Sequence, residues 1–238
     1  MNNLNICIAG LGNVGSALIN SIEENNKYFN SKSFLNIKII GISGKTKSKK
    51  RNFNIQNYKW YNDPLEMASN EDCDVIVELI GHEKGLSYDL IKSALENKKH
   101  VVTGNKALIA NNGKKLFELA DKNSLALSFE AAVAGGIPII KTIKNDIPLN
   151  KINKLSGILN GTTNYILTKM EEDNMSFDEV LQIAKDKGFT SDSESKLDIE
   201  GFDAAHKLTI LSTLCFGSIL KFKNNFIDGI SNIKIEDI

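Results

Sequence analysis

NICIAGLGNVGSALINSIEE, residues 5–24, decides the fold. Asn5–Ala9 reads as a buried strand, Gly10-Leu-Gly12-Asn-Val-Gly15 as a tight turn, and Val14–Glu24 as the helix it opens. Glycines at this spacing permit the turn, let backbone approach a diphosphate, and let helix and strand pack closely. The first free N–H groups of the helix then face the phosphates. A GxGxxG match alone is weak, because glycine-rich turns arise by chance. The strand before it and the helix after it point to a dinucleotide. Gly10, Leu11, Gly12, Asn13, Val14 and Gly15 are therefore candidate cofactor-binding residues.

Outward from that turn, short β-branched runs alternate with helical periodicity. Ile37–Ser43, Asp74–Ile80, His100–Thr103 and Leu125–Phe129 read as further strands. Pro64–Ala68, Leu86–Glu96 and Lys114–Asn123 read as helices between them. This alternation predicts an α/β fold with a Rossmann-type, doubly wound parallel sheet. The pattern changes after Phe129. Ile137–Lys144 reads as a helix, Lys151–Leu159 as a strand, and Asn160-Gly161 as the turn into another helix. Ser176-Phe-Asp-Glu179 is a capping box opening a helix through Lys187, and Asp203–Phe216 is a further helix. Two domains are expected: residues 1–134 for the cofactor, and an α+β domain over 135–238.

Bulk properties exclude little. Lys and Arg total 29, as do Asp and Glu, so no net charge draws the chain to nucleic acid or to a membrane. Cys7, Cys73 and Cys215 form no CxxC pair and sit in or beside apolar runs. Buried, reduced thiols in a cytoplasmic protein are the expectation. The N-terminus lacks the basic and apolar regions of a signal peptide, and Leu208–Leu220 is too short to span a bilayer.

The end of the second strand usually carries the residue that reads the adenine ribose. An acid there suits NAD, whereas cations suit the 2′-phosphate of NADP. No acid occurs between Ser31 and Asn62, and Lys45, Lys47, Lys49, Lys50 and Arg51 follow the strand. The charge pattern favours NADP, with NAD possible, and makes Lys45 a candidate contact. A solvated basic loop would look the same.

Six segments together resemble homoserine dehydrogenases: Gly10–Gly15, VIVELIG (75–81), HVVTGNKALIA (100–110), FEAAVAGGIPIIK (129–141), GILNGTTNYIL (157–167) and DIEGFDAAHKL (198–208). The resemblance implies a cofactor domain joined to a substrate and dimerisation domain. It also implies NAD(P)-dependent interconversion of L-homoserine and L-aspartate 4-semialdehyde, on the route to threonine, methionine and isoleucine. A cytoplasmic homodimer is expected. Members of the family usually continue well past residue 238, so the chain is expected to lack their C-terminal part. Another Rossmann oxidoreductase of amino-acid metabolism, or a non-catalytic cofactor-binding or dimerising fragment, stays open as an alternative.

Asp203 and Lys207 are four apart and share one helix face, continued inward by Ile210 and Leu214. The positive helix end suits Asp203 and disfavours a cation at Lys207. With the DxxxK pattern matching the family's catalytic helix, Lys207 is expected to move the proton and Asp203 to assist it. The resemblance places Lys106 beside nicotinamide and substrate, with Gly81 and Thr103 also at the cofactor. It sets Asp198 and Asp203 to accept hydrogen bonds from the substrate ammonium. A family glutamate is missing from 188–195, where Asp192 or Glu194 is the substitute. His82 stands where the family often has a second glycine. Glu130, with carbonyls of Val133, Gly135 and Ile137, matches a loop that binds a monovalent cation, usually sodium; oxygen ligands suit a hard ion.

Overall fold

The computed structural model describes residues 2–33, 35–192, 195–217 and 220–238. The chain divides into two compact units, Met1–Lys141 and Thr142–Ile238. The division falls after the short helix that packs on the Glu130 turn, later than the expected 134/135 boundary.

The first unit runs β1 (Asn2–Ala9), α1 (Asn13–Ser33), β2 (Leu35–Ser43), β3 (Lys59–Trp60), α2 (Leu65–Ala68), β4 (Val75–Glu78), α3 (Leu86–Glu96), β5 (His100–Thr103), α4 (Lys106–Lys122), β6 (Leu127–Ser128) and α5 (Ile139–Lys141). Its strands form one six-stranded sheet, ordered β3-β2-β1-β4-β5-β6, with every pair parallel. The order reverses between β1 and β4, which creates the crevice where such sheets bind nucleotides. Ile6, Ile8, Ile42, Val75 and Val77 form the core of the sheet with Ile19 from α1. Burying each such side chain contributes about 1.5–3 kcal/mol.

Several strand ends shift by up to three residues from the sequence reading, and three differences are larger in kind. α1 continues to Ser33 because its polar tail is anchored: the Asn26 amide donates to the Ile37 carbonyl on β2 at 2.8 Å. α4 begins at Lys106 rather than Lys114, since Asn105 caps it by accepting from Leu108 N. The Asn111-Asn112-Gly113 run that looks like a turn is carried inside this helix. β3 is two residues long and has no periodicity to reveal it.

The second unit contains a π-helical turn (Thr142–Asp146), α6 (Gly161–Asp173), α7 (Phe177–Asp186), α8 (Ser195–Ile199) and α9 (Phe202–Phe216). Ile166 and Met170 of α6 pack on Val180 and Ala184 of α7, with Ile230 and Ile233 against them. The Ser176–Glu179 capping box is formed as read. The expected helix over 137–144 resolves into α5 followed by the π turn. The expected strand Lys151–Leu159 is absent: residues 151–160 hold no regular structure. A strand needs a partner, and among the described residues this unit offers none.

Among the described residues no helix is long and apolar enough to cross a membrane. Cys7 and Cys73 are buried, whereas Cys215 is half-buried. A hydrogen bond with Cys73 and burial push the Cys7 thiol up, so it stays protonated.

The glycine turn is the tightest packing point of the sheet. A Cβ at Gly15 would lie 1.9 Å from the Gly10 carbonyl oxygen. A Cβ at Gly10, where φ is +105°, would lie 2.3 Å from the Leu79 oxygen on the far side of the crevice. Neither clash involves a side chain that can turn away. Gly15→Ala should therefore destabilise the chain by about 2 kcal/mol or more, read as a lower midpoint of urea unfolding. An unchanged midpoint would show that the turn can relax.

Candidate functional site

At the β1/β4 reversal lies a cavity of about 570 Å³. Gly10, Leu11 and Gly12 form one wall, and Lys45, Lys49 and Arg51 another. Ile80 and His82, after β4, close a third side. Asn13 lines a neighbouring groove with Lys50. Of the other candidate cofactor residues, Val14 and Gly15 lie in the first turn of α1, Gly15 buried and Val14 exposed. Gly81, Thr103 and Lys106 are not among the residues lining the cavity. Thr103 is buried, and Lys106 is the first residue of α4.

Arg51 does more than add charge. Its guanidinium donates to the carbonyls of Thr46 and Lys49, each at 2.8 Å. These bonds fold the lysine loop back on itself and leave Lys45 and Lys49 on the cavity wall. The sequence shows the cation run; it does not show which cation holds the others in place.

The second unit carries a polar cluster. Lys207 Nζ meets Asp203 Oδ2 at 2.7 Å and donates to the Leu159 carbonyl at 2.8 Å. Those two oxygens offset the unfavourable position of a cation in the first turns of α9. Asn160 lies at the centre. Its amide nitrogen donates to Asp198 Oδ1 at 2.8 Å and to Asp203 Oδ2 at 2.9 Å. Its oxygen accepts from Thr163 N and caps α6. Thr190 donates to the other oxygen of Asp198 at 2.9 Å. Asp203 is only 4% exposed, so the Asn160 amide and the Lys207 ammonium replace water that its carboxylate has lost. Asn160 and Thr190 were not singled out in the sequence. The signal available for Asn160 was its place as the polar residue just before α6, where a cap is expected.

Asp192 is set apart from this cluster. It is exposed and pairs with Lys185 of α7 at 2.8 Å, which holds its carboxyl below the usual range. Glu194 lies outside the described residues. Beside the cluster runs a groove of about 390 Å³, walled by Leu155, Leu159, Ala205, Leu208 and Phe226. α9 contributes Ala204, Ala205 and Leu208 to it, and Ser156 and Asp228 are its polar side chains.

Glu130 opens a short helical turn in the first unit. Its carboxylate accepts from Ile140 N at 2.8 Å and Lys141 N at 3.0 Å, and so caps α5. The Ile137 carbonyl accepts from Ile139 N. A carboxylate oxygen that accepts one N–H bond still has a lone pair for a hard cation. These oxygen donors are chemically compatible with a hard monovalent cation.

Asn160 yields a direct test. Asn160→Asp keeps the cap oxygen but places a third carboxylate between Asp198 and Asp203. Like charges raise the pKa of the added acid, so folding should be progressively disfavoured, relative to wild type, as pH rises from about 4 to 7. Thermal unfolding across that range reads the effect. A difference that does not vary with pH would mean the amide does not bridge the two acids.

Comparison with known proteins agrees in both units. The family model for the NAD-binding domain of homoserine dehydrogenase matches residues 10–130, and the model for homoserine dehydrogenase matches 138–238. The Pseudomonas aeruginosa homoserine dehydrogenase is 40% identical over the whole chain, which spans 54% of that relative. A solved homoserine dehydrogenase from Thiobacillus denitrificans superposes with a TM-score of 0.90 at 35% identity, over 100% of this chain and 54% of its own. A hyperthermophilic archaeal homoserine dehydrogenase, solved in complex with NADPH, superposes at 0.82 with 29% identity, over 97% and 75%. The chain thus spans about half the length of the curated relatives it matches, and it belongs to the homoserine dehydrogenase family.

Proposed function

We propose that this chain carries the homoserine dehydrogenase reaction, the reversible reduction of L-aspartate 4-semialdehyde to L-homoserine. The observation that carries the proposal is the Lys207–Asp203–Asn160–Asp198 cluster. It sets an ammonium among hydrogen-bonded carboxylates, as an amino-acid aldehyde requires. When bound, the reduced nicotinamide supplies the hydride that reaches the aldehyde carbon. Lys207 gives its proton to the aldehyde oxygen, and the resulting neutral amine is reprotonated from water. In the oxidative direction Lys207 takes the hydroxyl proton. Asp203 holds the amine in place, and Asp198 and Asp203 accept from the substrate ammonium with their remaining lone pairs. Lys106, at the positive end of α4, polarises the carbonyl or relays its proton. Lys185 holds Asp192 in solvent, so a substrate contact by Asp192 would require breaking that ion pair.

NADP is the preferred cofactor on this reading, with NAD possible. What supports it is the wall of Lys45, Lys49 and Arg51, the lack of an acid between Ser31 and Asn62, and the NADPH-bound archaeal neighbour. Glu130 with the carbonyls of Val133, Gly135 and Ile137 would hold a sodium ion that stiffens the turn before α5. The family likeness extends the proposal to a cytoplasmic homodimer.

Two variants separate proton transfer from ion pairing at residue 207. Lys207→Ala removes both, whereas Lys207→Arg keeps a cation beside Asp203 that does not release its proton at working pH. With L-homoserine and NADP+ at alkaline pH, each should lose at least about a hundredfold in rate. Wild-type activity in the arginine variant would discard the acid–base role. A wild-type chain without activity would discard catalysis by this chain. Lys45→Glu should weaken NADP+ relative to NAD+; an unchanged ratio of their dissociation constants would assign the ribose to another residue.

A further inference from the structure

Glu78 is the last residue of β4 and is fully buried, next to valines and an isoleucine that are buried as well. An apolar residue would fill this position at lower cost, because a buried carboxylate must be given hydrogen-bond donors to offset its lost water. It is given three. Ile80 N and Gly81 N donate to Oε1 at 2.8 and 3.1 Å, and Thr103 Oγ1 donates to Oε2 at 2.6 Å. Thr103 lies beside Glu78 in the register of β4 and β5.

The network continues. Asn105 N donates to Thr103 Oγ1 at 3.0 Å, and the Asn105 amide donates to the His82 carbonyl at 2.7 Å. The Asn105 oxygen caps α4 through Leu108 N. One carboxylate thus ties the turn after β4 to the turn after β5. The first carries Ile80 and His82 of the cavity wall; the second leads directly into Lys106. A sheet of this order binds its dinucleotide across the β1/β4 reversal, one half to each side. The lysine loop belongs to the β2 side, and the turns that Glu78 joins belong to the β4–β5 side.

We infer that Glu78 is a positioning residue for the nicotinamide half of the dinucleotide: it fixes the two turns that this half must fit. The inference rests on the dinucleotide reading of the cavity. Replacing Glu78 with Gln keeps the size but loses the anionic acceptor, and turns one acceptor atom into a donor. Charge-assisted bonds are the stronger ones, so the turns should loosen.

The test is calorimetric titration of the 238-residue chain with two probes, NADPH and adenosine 2′,5′-bisphosphate, which lacks the nicotinamide half. Glu78→Gln should bind NADPH at least about tenfold more weakly and the bisphosphate within about twofold of wild type. Thr103→Val, nearly isosteric, should show the same split and serves if the first variant folds poorly. Faster amide exchange at Gly81 in unliganded Glu78→Gln should accompany it. NADPH binding equal to wild type, or equal losses for both probes, would overturn the positioning role. A wild-type chain that binds neither probe would instead overturn the dinucleotide reading, and this inference with it.

Discussion

Contact between three backbone segments, without side chains, governs the first unit. The Gly10 carbonyl, the α1 turn at Gly15 and the Leu79 peptide approach so closely that no Cβ fits between them. That approach lets β1 and β4 lie side by side while their connections leave in opposite directions. The crevice at the reversal follows from it, and so does the supply of free N–H groups at the start of α1. Pocket, lysine loop and β4 turn are all arranged around this one crowded point.

Each unit then uses a buried acid in the same physical way. Glu78 in the first and Asp203 in the second are almost wholly removed from water. Both survive burial because donors on separate segments converge on them. Glu78 gathers two peptide N–H groups and a hydroxyl, and Asp203 gathers an amide and an ammonium. Removing one donor from such a site exposes the full desolvation penalty of the acid, about 1–3 kcal/mol or more. Rigidity in these sites therefore comes from satisfied polar groups rather than from apolar packing, and it fixes geometry that loops alone would leave soft.

The sequence was legible where structure is local. His100–Thr103 and Leu86–Glu96 fall within the residues read for them, because periodicity and flanking turns lie in one short window. The capping box at Ser176 is local as well. The Asp203–Lys207 pair was legible because helical spacing alone brings four-apart residues together. Long-range features were not. β3 exists only because Gly41 and Ile42 pair with it, and α1 extends only because Asn26 reaches β2. Glu78 lay inside the VIVELIG motif beside two of its donors, yet the third, Thr103, sits 25 residues away on β5, where no spacing rule points. Asn160 likewise meets its acids 38 and 43 residues downstream.

Residues 151–160 show most sharply why the second unit resisted reading. Ile152, Leu155, Ile158 and Leu159 gave an apolar pattern that passes for a strand. Ile158 is 77% exposed, however, and the Leu159 carbonyl accepts from the Lys207 ammonium. A strand is a property of a pair: a ladder would place its own N–H donors on that row of carbonyls. Such a donor would compete with Lys207 for the Leu159 oxygen and weaken one of the two bonds that hold the ammonium. The irregular path of this segment leaves that carbonyl to Lys207. Pattern rules written for sheets misread it because its carbonyl is committed to a side chain rather than to a neighbouring strand.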